Sequence, residues 1–123
     1  MISTARLRKA MREIAAKKGD FTLFGLFKRA DAPGTWDLVV SAPWLEQGKL
    51  RALQEFTRLL ETEIGARSLG QFSRIVTLNQ SDPALKAVVS AFAIEDGELH
   101  VRHSNLFGLE IEDAIIIRAT KAA

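Results

Sequence analysis

Asp37, Glu95 and Glu98 are the acids from which this sequence would have to assemble a phosphodiester-cleaving site. Two metal ions held by carboxylates are a common way to stabilise both the attacking and the leaving oxygen of such a displacement. A nuclease of the restriction-endonuclease type would follow the first acid with an acid-x-Lys triplet on the next strand, and none follows Asp37. The lysine that positions water is therefore missing, and the three acids read as structural or solvated carboxylates. His100 and His103 are the two histidines. Three residues apart on a strand, they point to opposite faces and cannot chelate one ion in regular geometry. Nothing in the sequence nominates a third ligand, so no metal is expected. The expectation is a solvated His100 and a half-buried, hydrogen-bonded His103.

Nucleophile and phosphate motifs are missing too. The sequence has no Gly-x-Ser-x-Gly elbow, no Gly-x-Gly-x-x-Gly fingerprint and no Walker loop, and no motif positions a recognisable base for Ser41, Ser73 or Ser104. Tyrosine and cysteine are absent, which removes one familiar general acid and every thiol chemistry. No cofactor is expected.

Binding has better candidates. Ala42-Pro43-Trp44-Leu45-Glu46 places a proline and a large amphipathic ring directly after a strand. Ligands of open α/β sheets gather beyond the carboxyl ends of strands, so Ser41, Pro43 and Trp44 form the candidate ligand pocket. The competing reading makes Trp44 a lid over the core, since buried aromatics supply much packing energy. Residues 1–29 carry eight Lys and Arg against two acids, a balance of +6, and the remainder carries nine bases and thirteen acids, a balance of −4. Such a split suits a polyanion-binding face, with Arg8, Lys9 and Arg12 as contacts, or two faces of one protein attracting each other. A solvated helix face is the plain alternative. Asn105-Leu106-Phe107-Gly108 puts two apolar residues in an expected loop, either as part of a partner-binding patch or as a closure of the sheet end.

The elements that must position these residues follow from periodicity. Leu7, Met11 and Ile14 recur at helical spacing, with Ser3 or Thr4 before them and Gly19 after Lys17 and Lys18, which predicts a helix over 4–18. The run 21–27 is apolar at odd and even positions alike, as in a strand covered on both faces. Asp31-Ala32-Pro33-Gly34 predicts a turn and 36–41 a returning strand, closing a hairpin. Leu50, Leu53, Phe56, Leu60 and Ile64 mark a second helix over 48–64, and a strand over 72–79 follows it, in position for a parallel crossover. Ser81-Asp82-Pro83 starts a third helix through 91, and 92–95 reads as its last turn or as a short strand. Asp96-Gly97 predicts a two-residue hairpin before a strand from Leu99, and 109–117 is the last strand. The order α-β-β-α-β-α-β-β predicts an α+β sandwich with a mixed sheet of about five strands and helices packed on it.

With 123 residues, 47% hydrophobic and 26% charged, the chain is expected to form one domain, 1–123, with a self-sufficient core. No apolar run approaches the roughly 18 residues of a membrane span, and the N-terminus does not read as a signal peptide. A cytoplasmic location fits, as does the absence of cysteine. The expected function is a non-enzymatic protein-interaction or ligand-binding module that self-associates. The alternative is a nucleic-acid-associated protein, such as a degenerate nuclease, that uses its basic helix. Self-association is expected as a two-fold dimer. If three helices gathered on one face of the sheet, Phe24, Leu26 and Ile116 would face water, and burying each is worth roughly 1.5–3 kcal/mol. Helices divided between both faces would instead leave a self-sufficient monomer.

Overall fold

The computed structural model describes residues 3–32, 34–106 and 109–121. Five strands form one mixed sheet: β1 (Leu23–Arg29), β2 (Trp36–Ser41), β3 (Phe72–Thr77), β4 (Leu99–Leu106) and β5 (Leu109–Ala119), in the order β3-β2-β1-β5-β4. Helices α1 (Thr4–Lys18), α2 (Lys49–Ile64), the short α3 (Ala66–Leu69) and α4 (Pro83–Ala91) join them, and a 3-10 turn spans Pro43–Glu46. The α+β class and the order of the elements are as the sequence predicts.

β1 lies at the centre because its side chains are apolar in both directions. Phe24 and Leu26 enter a core with Leu7, Met11 and Ile14 of α1 and Phe56, Leu60 and Ile64 of α2. Leu23 and Phe27 enter a second core with Leu85, Val88 and Val89 of α4. The hairpin forms as expected, with Leu26 opposite Leu38, and β3 runs parallel to β2 with Ile75 beside Leu38. Pro33 of the predicted turn lies outside the described residues, while Gly34 adopts the positive φ of +83° that the turn requires. Ser3 caps α1 by accepting a hydrogen bond from the Arg6 amide, and Asp82 caps α4 by accepting one from Ala84.

The helices therefore divide between the two faces, α1 and α2 on one and α4 on the other. This corrects the premise of the expected contact surface. Phe24, Leu26 and Ile116 are all 0% exposed within a single chain, so none of them is available to a second copy. The three consecutive isoleucines are split by the pleat, Ile115 and Ile117 toward α1 and α2 and Ile116 toward α4.

β5 carries two irregularities against β1. The pairs Phe24–Arg118 and Gly25–Ile116 leave Ile117 as an extra residue, and the pairs Lys28–Asp113 and Arg29–Ile111 leave Glu112 as another. β4 follows the second shift and stays in step with β5, from Arg102–Asp113 to Ser104–Ile111. It does so at His103, whose φ of +49° is unusual for a residue other than glycine. The half-buried positions of β4 change phase there, from Leu99 and Val101 to Ser104 and Leu106. His103 is consequently exposed, not half-buried as its place in a regular strand would imply.

Other local expectations change as well. Asp96-Gly97 does not close a hairpin: Ile94 bridges Ala119 and Leu99 pairs with Ile116, so both flanks lie along β5 and the dipeptide forms part of a bulge between them. Of the expected loop 105–108, Asn105 and Leu106 belong to β4, while Phe107 and Gly108 lie outside the described residues. Leu50 is 68% exposed, because the inward face of α2 starts at Ala52 and includes Leu59.

Candidate functional site

Because β1 is antiparallel to both β2 and β5, and β3 is parallel to β2, one edge of the sheet collects the carboxyl ends of β2, β3 and β5. Two clefts open there, one on each face, and Thr22 and Lys121 line both.

The cleft on the α1 side has a volume of about 390 Å³ and is walled by Pro43 and Trp44, with Lys18, Gln47 and Arg118 around it. Trp44 is held from several sides. Its indole Nε1 donates to the Gly19 carbonyl at 3.1 Å, its ring meets Phe21 edge-on at 5.7 Å, and the Lys18 ammonium sits 5.8 Å from its centroid. Phe21 and Phe56 continue this aromatic cluster into the core. Trp44 thus lids the core and lines the cleft, so both sequence readings describe the same side chain. Lys18 donates to Glu55 at 2.9 Å, and this hydrogen bond holds the Glu55 carboxyl below its ordinary pKa.

Ser41 does not join Pro43 and Trp44. It is fully buried; its hydroxyl donates to the Leu78 carbonyl at 2.7 Å and accepts from the Gln80 amide at 2.7 Å. Gln80 in turn accepts from the Thr22 hydroxyl, and its backbone N–H donates to Glu46. This network ties the end of β2 to the segment after β3 and forms the polar floor of the α4-side cleft. That cleft measures about 340 Å³ and is lined by Thr22, Gln80, Leu85, Lys86, Val89, Ser90 and Lys121. Sequence reasoning did not nominate Gln80, Lys86 or Lys121. No spacing relates them, and only the sheet brings them together.

The polyanion candidates are largely engaged within the chain. Arg8 Nε donates to Asp96 Oδ1 at 2.9 Å and Arg12 Nη1 to Asp96 Oδ2 at 2.8 Å, which draws the bulge onto α1. The hydrogen bond from Arg12, then that from Arg8, pulls the Asp96 carboxyl below the usual aspartate range despite a smaller opposing effect of desolvation. Thr4 also donates to Glu98. Lys9 remains exposed. The charge asymmetry of the sequence is used, at least in part, between two faces of one chain.

Asp37 stands apart from Glu95 and Glu98. Its carboxylate, 5% exposed, accepts from Arg29 Nε at 3.1 Å and Arg74 Nε at 3.0 Å, which accounts for a carboxylate in the sheet as an ion-pair centre. Asp37 Oδ1 and Asp113 Oδ1 are buried without a hydrogen-bond partner. No group of three or more His, Asp and Glu side chains placed to hold a metal occurs among the described residues, and none of their helices is long and apolar enough to cross a membrane. No family model, no curated protein and no solved structure matches the chain.

Proposed function

We propose that the chain is a non-enzymatic binding module of the cytoplasm whose ligand enters at the carboxyl edge of the sheet, beside Trp44. The observation that carries this reading is the fixed Trp44 ring walling a cleft of about 390 Å³ at that edge. Clefts of about 300–1,000 Å³ with an apolar wall and a few convergent polar groups are the usual form of small-molecule sites. The cytoplasmic placement rests on the cysteine-free sequence. Pro43 and Trp44 offer apolar faces, and three cations, Lys18, Arg118 and Lys121, stand against one carboxylate, Asp20, in the lining, which suits a small aromatic carboxylate. Benzoate is a direct probe. The Trp44 indole N–H and the Gln47 amide should shift saturably in NMR spectra of the labelled chain. Unchanged signals at both positions up to about 10 mM benzoate, well beyond the range of an ordinary weak site, would overturn the reading.

Self-association belongs to the same proposal, at a different surface from Phe24, Leu26 and Ile116. α4 has nine residues and its face of the sheet is five strands wide, so Val76, Val101 and Leu106 stay half-buried around that core. A second copy of the chain is the proposed cover, in a two-fold arrangement. Light scattering should give twice 13.6 kDa, and Val101→Asp should return the mass to that of one chain. A single species of 13.6 kDa for the unaltered protein sinks the dimer.

A further inference from the structure

The α4-side cleft differs in its charge from the other clefts described. The α1-side cleft includes Asp20, the groove between α1 and the bulge includes Asp20, Glu95 and Asp96, and the one beside α2 includes Glu55. The α4-side cleft has Lys86 and Lys121 and, among the described residues, no carboxylate in its lining. Neither lysine makes an ion pair with another described residue. Leu85 and Val89, one helical turn apart on α4, supply an apolar wall, and the lysine stems extend it. No aromatic ring lines it among the described residues, so nothing there stacks on a planar ligand. Thr22 and Gln80, hydrogen-bonded to each other, make the floor polar.

We infer that this second cleft binds a small amphiphilic anion, an unbranched alkyl carboxylate, with its head between Lys86 and Lys121 and its chain along Leu85 and Val89. The inference rests on reading the carboxyl edge as a ligand-binding edge and adds a second site with a different ligand class. A carboxylate between two lysines gains charge-assisted hydrogen bonds that a neutral head of the same size cannot form.

Octanoate at monomeric concentrations and octan-1-ol, its neutral counterpart, test this on the full labelled chain. Octanoate should shift Thr22, Val89 and the Gln80 side-chain amide saturably, and octan-1-ol should bind at least tenfold more weakly. Lys86→Glu, a change on the exposed side of α4, should weaken octanoate at least tenfold. It should leave benzoate binding beside Trp44 unaltered, because Lys86 does not line that cleft. Equal binding of octanoate and octan-1-ol, or unchanged octanoate affinity in Lys86→Glu, would overturn the inference. Binding to phosphatidylglycerol vesicles without any response to free octanoate would overturn it in favour of a membrane surface. Benzoate binding with silence toward octanoate defeats this inference alone, whereas silence toward both defeats the reading of the edge as well.

Discussion

Arg8 and Asp96 are 88 residues apart in the chain and 2.9 Å apart in the fold, Nε to Oδ1. With Arg12 on the other oxygen, Asp96 fixes the irregular end of β4 against the first helix.

That clamp predicts a dependence on pH and on salt. Arg12 and Arg8 depress the folded-state pKa of Asp96 below its unfolded value. The stabilisation is therefore complete above the unfolded aspartate range and is lost as the pH falls through the lowered folded value. Asp96→Asn should cost about 0.5–1 kcal/mol at neutral pH, the range for surface ion pairs. The difference in melting temperature between the variant and the parent should shrink in about 1 M salt, where charges are screened within roughly 3 Å. A difference that is constant from neutral to strongly acidic pH would exclude the clamp as its source.

The ion-pair centre at Asp37 predicts non-additivity. Arg74 is 49% exposed on its side chain and Arg29 21% exposed, so Arg74→Ala alone should cost about 0.5–1 kcal/mol and Arg29→Ala somewhat more. Removing both leaves a buried carboxylate without a cation, for which a cost of about 3–5 kcal/mol is expected, more than the sum of the two single changes. Adding Asp37→Leu to that double variant should recover part of the loss. Urea melts of the four variants give the comparison, and simple additivity would refute the coupling.

Gly25 predicts a backbone effect of a different kind. A Cβ at this position would stand 3.2 Å from the Ile115 carbonyl oxygen and 3.1 Å from the Phe27 ring, beside the irregularity where β1 meets β5. Gly25→Ala should therefore destabilise by about 1–3 kcal/mol, the usual cost of overpacking, although alanine normally suits a strand better than glycine does. Gly48→Ala, at a φ of +71° with nothing within 4 Å, carries conformational strain without a clash and should cost less. Thermal melts of the two variants would show whether the order is reversed.

Phe56 sits among Phe21, Phe24 and Trp44, with ring centroids 5.8, 6.5 and 6.3 Å away. Phe56→Ala should cost about 3–5 kcal/mol and also loosen Trp44, seen as a red shift of tryptophan emission in the folded protein. Emission unchanged in the folded variant would mean that Gly19, Phe21 and Lys18 hold the indole without Phe56.

The sequence discloses features that depend on local period and hides those that depend on a partner strand. β1 was legible as a strand covered on both faces because Phe24 and Leu26 on one side, and Leu23 and Phe27 on the other, are all large and apolar. The starts of α1 and α4 were legible to within one residue, and the structure selects Ser3 and Asp82 as the caps. Asp96-Gly97 misleads because a hairpin signal presumes that its flanks pair with each other, while Ile94 and Leu99 both pair with β5. Ser41 follows the same logic. Two positions before Pro43, it is close in sequence to the cleft, but the pleat turns it toward Gln80. Trp44 was recognisable from its place after a strand, whereas Lys86 and Lys121 meet only through the packing of α4 beside the end of β5.

The shared change of phase at His103 and Glu112 bears on how this chain tolerates changes of length. The outer part of the β4–β5 ribbon is one residue longer in each strand than a regular ladder would need, and the two additions lie side by side. Deleting Glu112 alone would shift β4 against β5 and turn one strand's side chains to the wrong face. Deleting His103 and Glu112 together would bring Ile111 directly before Asp113, in the ladder position opposite Arg29, and keep Ser104 beside it. Length changes in this ribbon are therefore permitted as matched pairs and forbidden singly, so that two distant codons behave as one unit of variation.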